Sequence, residues 1–346
     1  MKKYRAAIIG LGRMGSTIDE EVVGYPAIAL PYSAAGACRA SERLELVAGA
    51  DLDPEKRRAF TERWGVGAVY ADYREMIRQE APDLVAICTR AENHAELAIG
   101  VAEAGGVSMV FLEKAMACSM READAILQAY QPRGIAFNTG VLRRFDTRYH
   151  QMRQRLVQGE VGELRAAVHH AASSLMHGHI HSVDTIMYLL GDPRALRVRG
   201  ELRGEAVAKD NRFDKDPQAV YQIQFEGGIE AWTVPVGHWD FEVWGAKGML
   251  KGLNNGMDWV ERLPAAAGRH TIYPEQSFQN VAPYSATLYA FDDLVRAHEE
   301  QQPALGNVEV THHATEICLA VAQSHLEGGK WIDLPLQNRD LYVWHV

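Results

Sequence analysis

Three glycines near the start of the chain have the spacing of a turn that binds phosphate groups, in Gly10-Leu11-Gly12-Arg13-Met14-Gly15. The apolar run Tyr4–Ile9 before them predicts a buried strand, and we expect a helix to begin near Arg13. A strand, turn and helix in this order direct backbone N–H groups and the positive helix end towards a pyrophosphate. Gly10 then permits the tight turn, Gly12 lets a ligand approach the backbone, and Gly15 lets helix and strand pack closely. The spacing alone is a weak signal, but in this context it predicts a dinucleotide site.

A carboxylate that could select the dinucleotide follows the second predicted strand, Leu44–Ala50, at Asp51. A carboxylate at this place accepts hydrogen bonds from the adenosine ribose and repels a 2′-phosphate, so it favours NAD over NADP. We assign the next residue, Leu52, to the same site. Asp51 lies 36 residues after Gly15, whereas the usual separation is about 20. We attribute the surplus to an insertion, residues 19–36.

Two other interpretations of this strand end remain open. Asp51 could be a turn residue or a cap for the helix predicted from Pro54. Arg57 and Arg58 could also accommodate a 2′-phosphate. NAD is therefore the expected cofactor, with NADP less favoured.

The insertion itself has an unusual composition for a connecting segment. Gly24, Pro26, Pro31 and Gly36 predict a loop and not an unbroken helix. Its centre, residues 25–32, is too apolar to be left in water. We expect it to cover either a substrate pocket or a neighbouring subunit, and we favour the pocket wall.

A lysine and a histidine supply the candidate acid–base chemistry. Lys114 follows an apolar strand, and doubly wound folds bind their ligands at the carboxyl ends of strands. A partly desolvated lysine can hydrogen-bond a substrate hydroxyl. His181 is the candidate general base, because imidazole titrates near neutral pH. The alternative for Lys114 is a surface residue paired with Glu113.

The same region is dense in histidine, with His169, His170, His177, His179 and His181. The His-x-His-x-His spacing at its end could bind zinc or another divalent ion. We expect no metal, because hydride transfer to a nicotinamide needs none.

The elements that position these residues fall into two patterns. Strands are predicted at 4–9, 44–50, 68–70, 83–88, 107–111 and 134–138, and helices at 54–64, 73–79, 92–104 and 120–129. This alternation predicts an α/β Rossmann domain, a doubly wound parallel sheet, over residues 1–140.

Residues 141–346 do not continue the alternation of strands and helices. Strands are predicted at 164–171, 196–201, 219–225, 229–236 and 240–245, and helices at 148–158, 182–190, 285–299 and 309–327. Gly227-Gly228 indicates a hairpin, and we expect another short turn within residues 248–256. Alternation in residues 221–225 predicts a sheet with one buried face. We therefore expect an α+β domain with a mostly antiparallel open sheet, for substrate binding and oligomerisation.

Composition limits the partners. A chain of 346 residues favours two domains, and its net charge of −9 argues against nucleic acid or an anionic membrane as a partner. No apolar run reaches the roughly 18 residues of a membrane span. The basic start is not read as a signal peptide, because glycines interrupt the apolar segment after it. Four widely spaced cysteines indicate reduced thiols, so we expect a cytoplasmic protein.

Several segments, in order along the chain, resemble the motifs of one known family. They are Thr89-Arg90-Ala91-Glu92-Asn93-His94, Phe111-Leu112-Glu113-Lys114-Ala115, Arg143-Arg144-Phe145-Asp146, Gly159-Glu160-Val161-Gly162-Glu163-Leu164, and His181-Ser182-Val183-Asp184 followed by Leu189-Leu190-Gly191. They are similar to the Thr-Pro-x-x-x-His loop, the Glu-Lys-Pro strand end, the segment entering the second domain and the His-x-x-Asp helix of the glucose–fructose oxidoreductase, inositol dehydrogenase and rhizopine-catabolism (Gfo/Idh/MocA) family. The resemblance runs from residue 4 to about residue 335.

The resemblance implies specific roles. The cofactor would contact the glycine turn, Asp51 and Leu52, together with Thr89, Arg90, Asn93, His94, Glu113 and Lys114. Lys114 would orient the alcohol and assist proton transfer, and His181 would be catalytic. For Asp184 two roles stay open: it orients His181, or it is structural, as it often is in the family. Arg144 and His177 would contact the substrate.

The sequence departs from the family pattern at four positions. The family segment Asp-x-Gly-x-His-x-x-Asp has a catalytic aspartate where this chain has His177, and a glycine where it has His179. Arg90 and Ala115 replace prolines, which affects the loop shape more than the chemistry. Because His177 removes a negative charge, we hypothesise a substrate that carries a carboxylate or another anionic group.

The resulting expectation is the reversible oxidation of a secondary hydroxyl on a sugar, cyclitol or sugar acid. One alternative is a glycoside-cleaving enzyme that oxidises its substrate transiently and leaves NAD unchanged overall. Another is a non-catalytic NAD-binding regulator, which the presence of Lys114 and His181 disfavours. The resemblance also implies a homodimer or homotetramer.

Overall fold

The computed structural model describes residues 2–204 and 206–345. The chain divides into two compact units. The first contains the chain up to Phe145 together with Tyr284–His312, and the second contains Asp146–Pro283 and His313–His345.

The strands within the described residues are β1 (Tyr4–Ile9), β2 (Leu44–Ala50), β3 (Val69–Tyr70), β4 (Leu84–Ile87), β5 (Met109–Leu112), β6 (Ala136–Thr139), β7 (Leu164–His170), β8 (Ala195–Arg203), β9 (Arg212–Phe213), β10 (Gln218–Phe225), β11 (Glu230–Val234), β12 (Asp240–Gly245), β13 (Gly248–Leu253), β14 (Asp258–Arg262), β15 (Ala265–Ala267), β16 (His270–Ile272), β17 (Glu275–Ser277), β18 (Ile332–Asp333) and β19 (Tyr342–Val343). The helices are α1 (Asp19–Val22), α2 (Ala34–Ala40), α3 (Pro54–Trp64), α4 (Tyr73–Glu80), α5 (His94–Ala104), α6 (Met120–Tyr130), α7 (Thr147–Val157), α8 (Ile180–Leu190), α9 (Ala286–Glu300) and α10 (Val308–Leu326).

The first unit is built on a six-stranded parallel sheet with the order β3-β2-β1-β4-β5-β6. This confirms the predicted doubly wound sheet. Every residue of β4 and β5 is buried, as expected for central strands covered on both faces. α9 belongs to this unit because it packs on the sheet: the rings of Phe111 and Phe291 meet edge to face at 5.0 Å, and Asn138 Nδ2 donates to Ala290 O at 2.8 Å.

The second unit contains a nine-stranded sheet with the order β17-β14-β13-β12-β7-β11-β10-β8-β18. Its neighbouring strands are antiparallel except for β7 and β11, which confirms the mostly antiparallel sheet. Burial alternates along β10, so one face is packed and the other is wetter. The hairpin predicted at Gly227-Gly228 joins β10 to β11, and both glycines have a φ of +74°.

The short turn expected within residues 248–256 is present only at the end of that segment: Gly248–Leu253 is strand β13, and the 3-10 turn Asn254–Gly256 joins it to β14. The glycines of β13 serve close strand packing. A Cβ at Gly248 would lie 2.3 Å from Arg262 O, and one at Gly252 would lie 2.9 Å from the ring of Trp259. The sequence reading also missed β14 to β17, which follow β13.

The insertion is also more regular than the expected loop. It contains the short helix α1 and the beginning of α2. Ser33 caps α2 by accepting a hydrogen bond from Gly36 N at 3.1 Å. Gly36 lies inside α2 and does not break this helix. Its position requires a small residue, because a Cβ there would come within 2.9 Å of Asp19 and Pro31.

No helix in the described part of the chain is long and apolar enough to span a membrane.

Candidate active site

The glycine turn follows β1 at the carboxyl edge of the parallel sheet. Gly10 has a φ of +90°, and a Cβ there would lie 2.7 Å from Cys88 O. A Cβ at Gly15 would lie only 1.9 Å from Gly10 O, so this glycine permits close packing within the turn. Gly12 differs from both, since a Cβ there would meet no atom within 4 Å. Its face of the turn is open to a ligand.

The turn leads into a single π-helical turn, Arg13–Thr17, and not into a regular α-helix. Ile18 N donates to Arg13 O at 2.9 Å to close it.

Asp51 is hydrogen-bonded directly to the glycine turn. Its Oδ2 accepts from Leu11 N at 2.9 Å, and its Oδ1 accepts from Asp53 N at 2.9 Å. The helix-cap interpretation of Asp51 is wrong, because Asp53 caps α3 by accepting from Glu55 N at 2.9 Å. The carboxylate of Asp51 is therefore held beside the turn, where an adenosine ribose would lie.

The two nearby arginines are engaged with other groups. Arg57 Nη1 donates to Asp51 O at 2.6 Å and to Leu52 O at 3.0 Å. Arg58 donates to Glu55 at 3.0 Å. Leu52 is 86% exposed at the same strand end. These contacts direct both guanidinium groups to protein oxygens and agree with a cofactor that lacks a 2′-phosphate.

His94 ties together the loops that follow β4 and β5. Its Nδ1 lies 2.8 Å from Ala115 O and its Nε2 lies 3.1 Å from Thr89 O. Burial lowers the pKa of His94 to about 4, so the ring is neutral and carries one N–H. It can donate to only one of these carbonyls at a time. Arg90 and Asn93 are exposed in the same loop.

Glu113 and Lys114 follow β5 at the same edge of the sheet. Glu113 is 5% exposed, and burial raises its pKa to about 7. Its Oε2 accepts from Lys114 N at 3.2 Å, while Oε1 has no hydrogen-bond partner among the residues described. Gly140 makes room for this carboxyl group, since a Cβ there would lie 2.6 Å from Oε1.

The positive charge of Lys114 acts on two buried neighbours. It opposes the rise in the pKa of Glu113 and contributes to the lowered pKa of His94. Lys114 is partly buried, and its peptide bond to Ala115 is cis.

The insertion reaches this region of the first unit through Tyr32. Asp19 Oδ1 accepts from Tyr32 N at 2.5 Å and from Ser33 N at 2.9 Å. Thr287 Oγ1, at the start of α9, donates to Tyr32 O at 2.9 Å. Burial raises the pKa of the Tyr32 phenol to about 12, and the charge of Glu113 adds to the rise. The sequence analysis placed Tyr32 in the apolar centre of the insertion, which was predicted to cover a substrate pocket or a neighbouring subunit.

Arg144, which the resemblance assigned to the substrate, is 1% exposed. It packs beside Gly306, where a Cβ would lie 2.9 Å from Arg144 Cδ. Arg143, the preceding residue, is partly exposed, and its charge acts on the Tyr32 phenol in the opposite sense to that of Glu113.

In the second unit the candidate histidines lie on two consecutive helical segments. Leu175–His179 forms a π-helical turn that continues into α8. His177 is exposed and His181 is partly buried, with its ring edge-on to Trp239 at 6.4 Å. Asp184, one turn further along α8, is 1% exposed.

His179 has an internal role. Its Nε2 donates to Ala219 O at 3.0 Å, and its Nδ1 lies 3.0 Å from Ser182 Oγ. Burial lowers its pKa to about 4, so it is a neutral core residue. Of the two positions where this segment departs from the family pattern, only His177 is exposed.

The remaining histidines of the dense stretch point to different partners. His169 is buried against Thr233 and Phe241, and His170 Nε2 lies 3.0 Å from Glu242. Within residues 2–204 and 206–345, no group of three or more histidine, cysteine or acidic residues is arranged to hold a metal ion.

Asp216 was missed by the sequence reading. Its Oδ1 accepts from Met176 N at 2.8 Å and its Oδ2 accepts from His177 N at 2.7 Å. Burial raises the pKa of Asp216, and the hydrogen bonds to Met176, His177 and Ser174 oppose the rise. The contact spans 39 positions, and no local pattern marks it.

The first unit therefore combines features that fit a dinucleotide. The glycine turn has one open face, Asp51 is fixed beside it, and a buried carboxyl oxygen of Glu113 lacks a partner among the described residues. A parallel sheet with this site is typical of the class of dinucleotide-binding proteins.

Comparison with known proteins agrees with this class. Residues 4–140 match the model of the oxidoreductase family with an NAD-binding Rossmann fold, Gfo/Idh/MocA. The match covers the first part of the chain, and it is to the family that the sequence motifs resemble.

A relative along nearly the whole chain is a Bacillus subtilis protein named scyllo-inositol 2-dehydrogenase (NAD(+)). It is 26% identical, over 94% of this chain and 95% of the relative. Two solved structures share the fold. The aldose-aldose oxidoreductase of Caulobacter crescentus has a TM-score of 0.78 at 19% identity, over 96% of this chain and 100% of that one. An inositol dehydrogenase homolog from Azotobacter vinelandii, solved with NAD+, has a TM-score of 0.77 at 17% identity, over 96% and 97% of the chains.

Proposed function

We propose that this NAD-dependent dehydrogenase oxidises a secondary hydroxyl of a sugar, a cyclitol or a sugar acid. The observation that carries the proposal is the pair Glu113-Lys114, which follows β5 at the sheet edge that also holds the glycine turn and Asp51. A lysine at this edge can approach a hydroxyl group of a substrate that lies beside the nicotinamide.

The names of the relatives support the substrate class. The Bacillus subtilis relative is named for a cyclitol and the Caulobacter crescentus structure for aldoses. Both are polyhydroxylated compounds with secondary alcohols. Oxidation of a secondary alcohol to a ketone removes one hydrogen from the carbon and one from the hydroxyl oxygen.

In the proposed reaction the nicotinamide ring of NAD would accept the hydride. Lys114 donates a hydrogen bond to the reacting hydroxyl and so fixes the carbon that carries it. His181 accepts the hydroxyl proton as the carbon–hydrogen bond breaks. Asp184 orients His181, and His94 holds the loops after β4 and β5 in place.

The test is a screen of sugars, inositols and sugar acids with NAD and with NADP, reading the absorbance of the reduced cofactor. We expect reduction of NAD with at least one polyol, and loss of this activity by at least 100-fold in Lys114→Met. Lys3→Met is the matched control, because Lys3 is exposed and precedes β1, at the end of the strand away from the glycine turn.

Two outcomes would oppose the proposal. One is tight NAD binding with no turnover of any polyol, which would fit a regulator. The other is glycoside cleavage without net NADH formation.

A further inference from the structure

We propose that Asp216 is a positioning residue that fixes His177 as a cationic contact for a substrate carboxylate. The inference rests on the proposed function and narrows its substrate to a sugar acid. It concerns residues of the second unit alone.

The first step concerns the backbone. Asp216 accepts hydrogen bonds from two consecutive N–H groups, those of Met176 and His177, at 2.8 and 2.7 Å. These are among the N–H groups at the start of a helix, which have no partner within the helix. A carboxylate that bonds two adjacent N–H groups fixes the φ and ψ angles between them, and it therefore fixes the direction in which Cβ of His177 leaves the backbone.

The second step concerns charge. The oxygens of Asp216 accept hydrogen bonds from protein donors, which include the side chain of Ser174, and its charge interacts with the exposed His177 side chain. Burial raises the pKa of Asp216, whereas the positive form of His177 acts against this rise and favours the ionised carboxylate. Because an interaction between two groups acts equally on both, Asp216 favours the imidazolium form of His177. Burial raises the pKa of the Cys318 thiol and the charge of Asp216 adds to the rise, so this thiol remains neutral.

The third step concerns the neighbouring histidine. His179 is fully buried, neutral and bonded to Ala219 O. It cannot supply a positive charge to a ligand. His177 and His179 are the two positions at which this segment departs from the family pattern. Of these, only His177 can present a positive charge to a substrate.

The experiment uses two ligands with the same carbon skeleton, D-gluconate and D-glucitol. They differ only at one end, which is a carboxylate in gluconate and a hydroxymethyl group in glucitol. Binding of each probe to the NAD-loaded protein is measured by calorimetry, and turnover is measured separately. In Asp216→Asn we expect the Kd of gluconate to rise roughly threefold to fivefold, the range for a partly exposed charge pair. The Kd of glucitol should stay the same.

A double-mutant cycle distinguishes positioning from a general structural role. In a His177→Gln background, Asp216→Asn should cause no further change in the ratio of the two Kd values. Asp214→Asn is the control, because Asp214 is exposed on the same segment and bonds Arg212 at 2.7 Å. It should leave both ligands unaffected.

The failures can be told apart. Equal weakening of both probes, or no change in Asp216→Asn, would overturn the inference while NAD-dependent turnover of polyols stands. Absence of turnover, with gluconate binding that still depends on Asp216, would remove the proposed function and leave the carboxylate site in place.

Discussion

Asp51 Oδ2 accepts a hydrogen bond from the backbone N–H of Leu11 at 2.9 Å, across 40 positions of sequence. The contact joins the end of β2 to the glycine turn after β1, and it holds the carboxylate where a ribose would approach. The insertion lengthens the chain between the two residues without displacing either from the sheet edge.

The first prediction concerns cofactor choice. Asp51→Asn removes the negative charge that would repel a 2′-phosphate but keeps an oxygen for one N–H group. We expect kcat/KM with NAD to fall roughly tenfold, and the NADP-to-NAD ratio to rise. Asp53→Asn is the control, because asparagine is an equally good helix cap. A similar shift in both variants would count against the assignment of Asp51.

The second prediction separates two glycines of the same motif. Gly15→Ala would force a methyl group to within 1.9 Å of Gly10 O, so the melting temperature should fall even without cofactor. A methyl group at Gly12 meets no atom within 4 Å, and Gly12 has a φ of −81°. Gly12→Ala should therefore keep the melting temperature and weaken NAD binding. Calorimetric melts and NAD titrations of both variants check this, and unchanged NAD affinity in Gly12→Ala would contradict it.

The third prediction follows from the buried carboxyl of Glu113. Its pKa is raised from 4.5 to about 7, so the folded protein retains a proton that the unfolded chain loses. The stability this gives is present below pH 4.5 and is lost as the pH rises to about 7. The loss amounts to at most about 3 kcal/mol. Glu113→Gln should remove this dependence on pH. The free energy of unfolding of the variant, relative to that of the wild type, should therefore increase from pH 5 to pH 8.

Urea unfolding at the two pH values tests this. The difference between Glu113→Gln and wild type is the quantity to compare, because it cancels the contributions of the buried histidines. A difference independent of pH would show that Glu113 is ionised throughout.

The fourth prediction contrasts two histidines that lie two positions apart. His179→Ala leaves Ala219 O without its donor and opens a cavity, so we expect a loss of about 3 kcal/mol in the free energy of unfolding. His177→Ala should change stability by less than about 0.5 kcal/mol, because its side chain is exposed. Chemical unfolding measures both. Equal losses would mean that His177 is also a structural residue.

The fourth prediction has a pH dependence of its own. The pKa of His179 is lowered from 6.5 to about 4 in the folded protein. The corresponding stability is present above pH 6.5 and is lost as the pH falls towards 4. His179→Ala should therefore show a smaller decrease in stability than the wild type over this window.

Local patterns predicted much of the fold. The continuous apolar run of β4 and the alternation along β10 each report which faces of a strand are buried, and both were predicted from the residues alone. Two of the wrong predictions concern the role of a glycine. Gly248 and Gly36 were read as turn or loop residues, whereas they allow close contact with Arg262 O and with Asp19. The sequence alone does not distinguish a glycine that relieves backbone strain from one that makes room for a neighbouring atom.

By itself, the sequence determined the parallel-sheet unit, the phosphate-binding turn and the candidate residues Lys114 and His181. Only the tertiary structure decided which of several polar residues pair with the site. It bonded Asp51 to the backbone of Leu11, bonded Asp216 to the backbone of His177 and buried His179 as a neutral core residue. The reason is physical: periodicity reports the burial of neighbouring residues, while contacts across 39 or 40 positions depend on how separate elements pack.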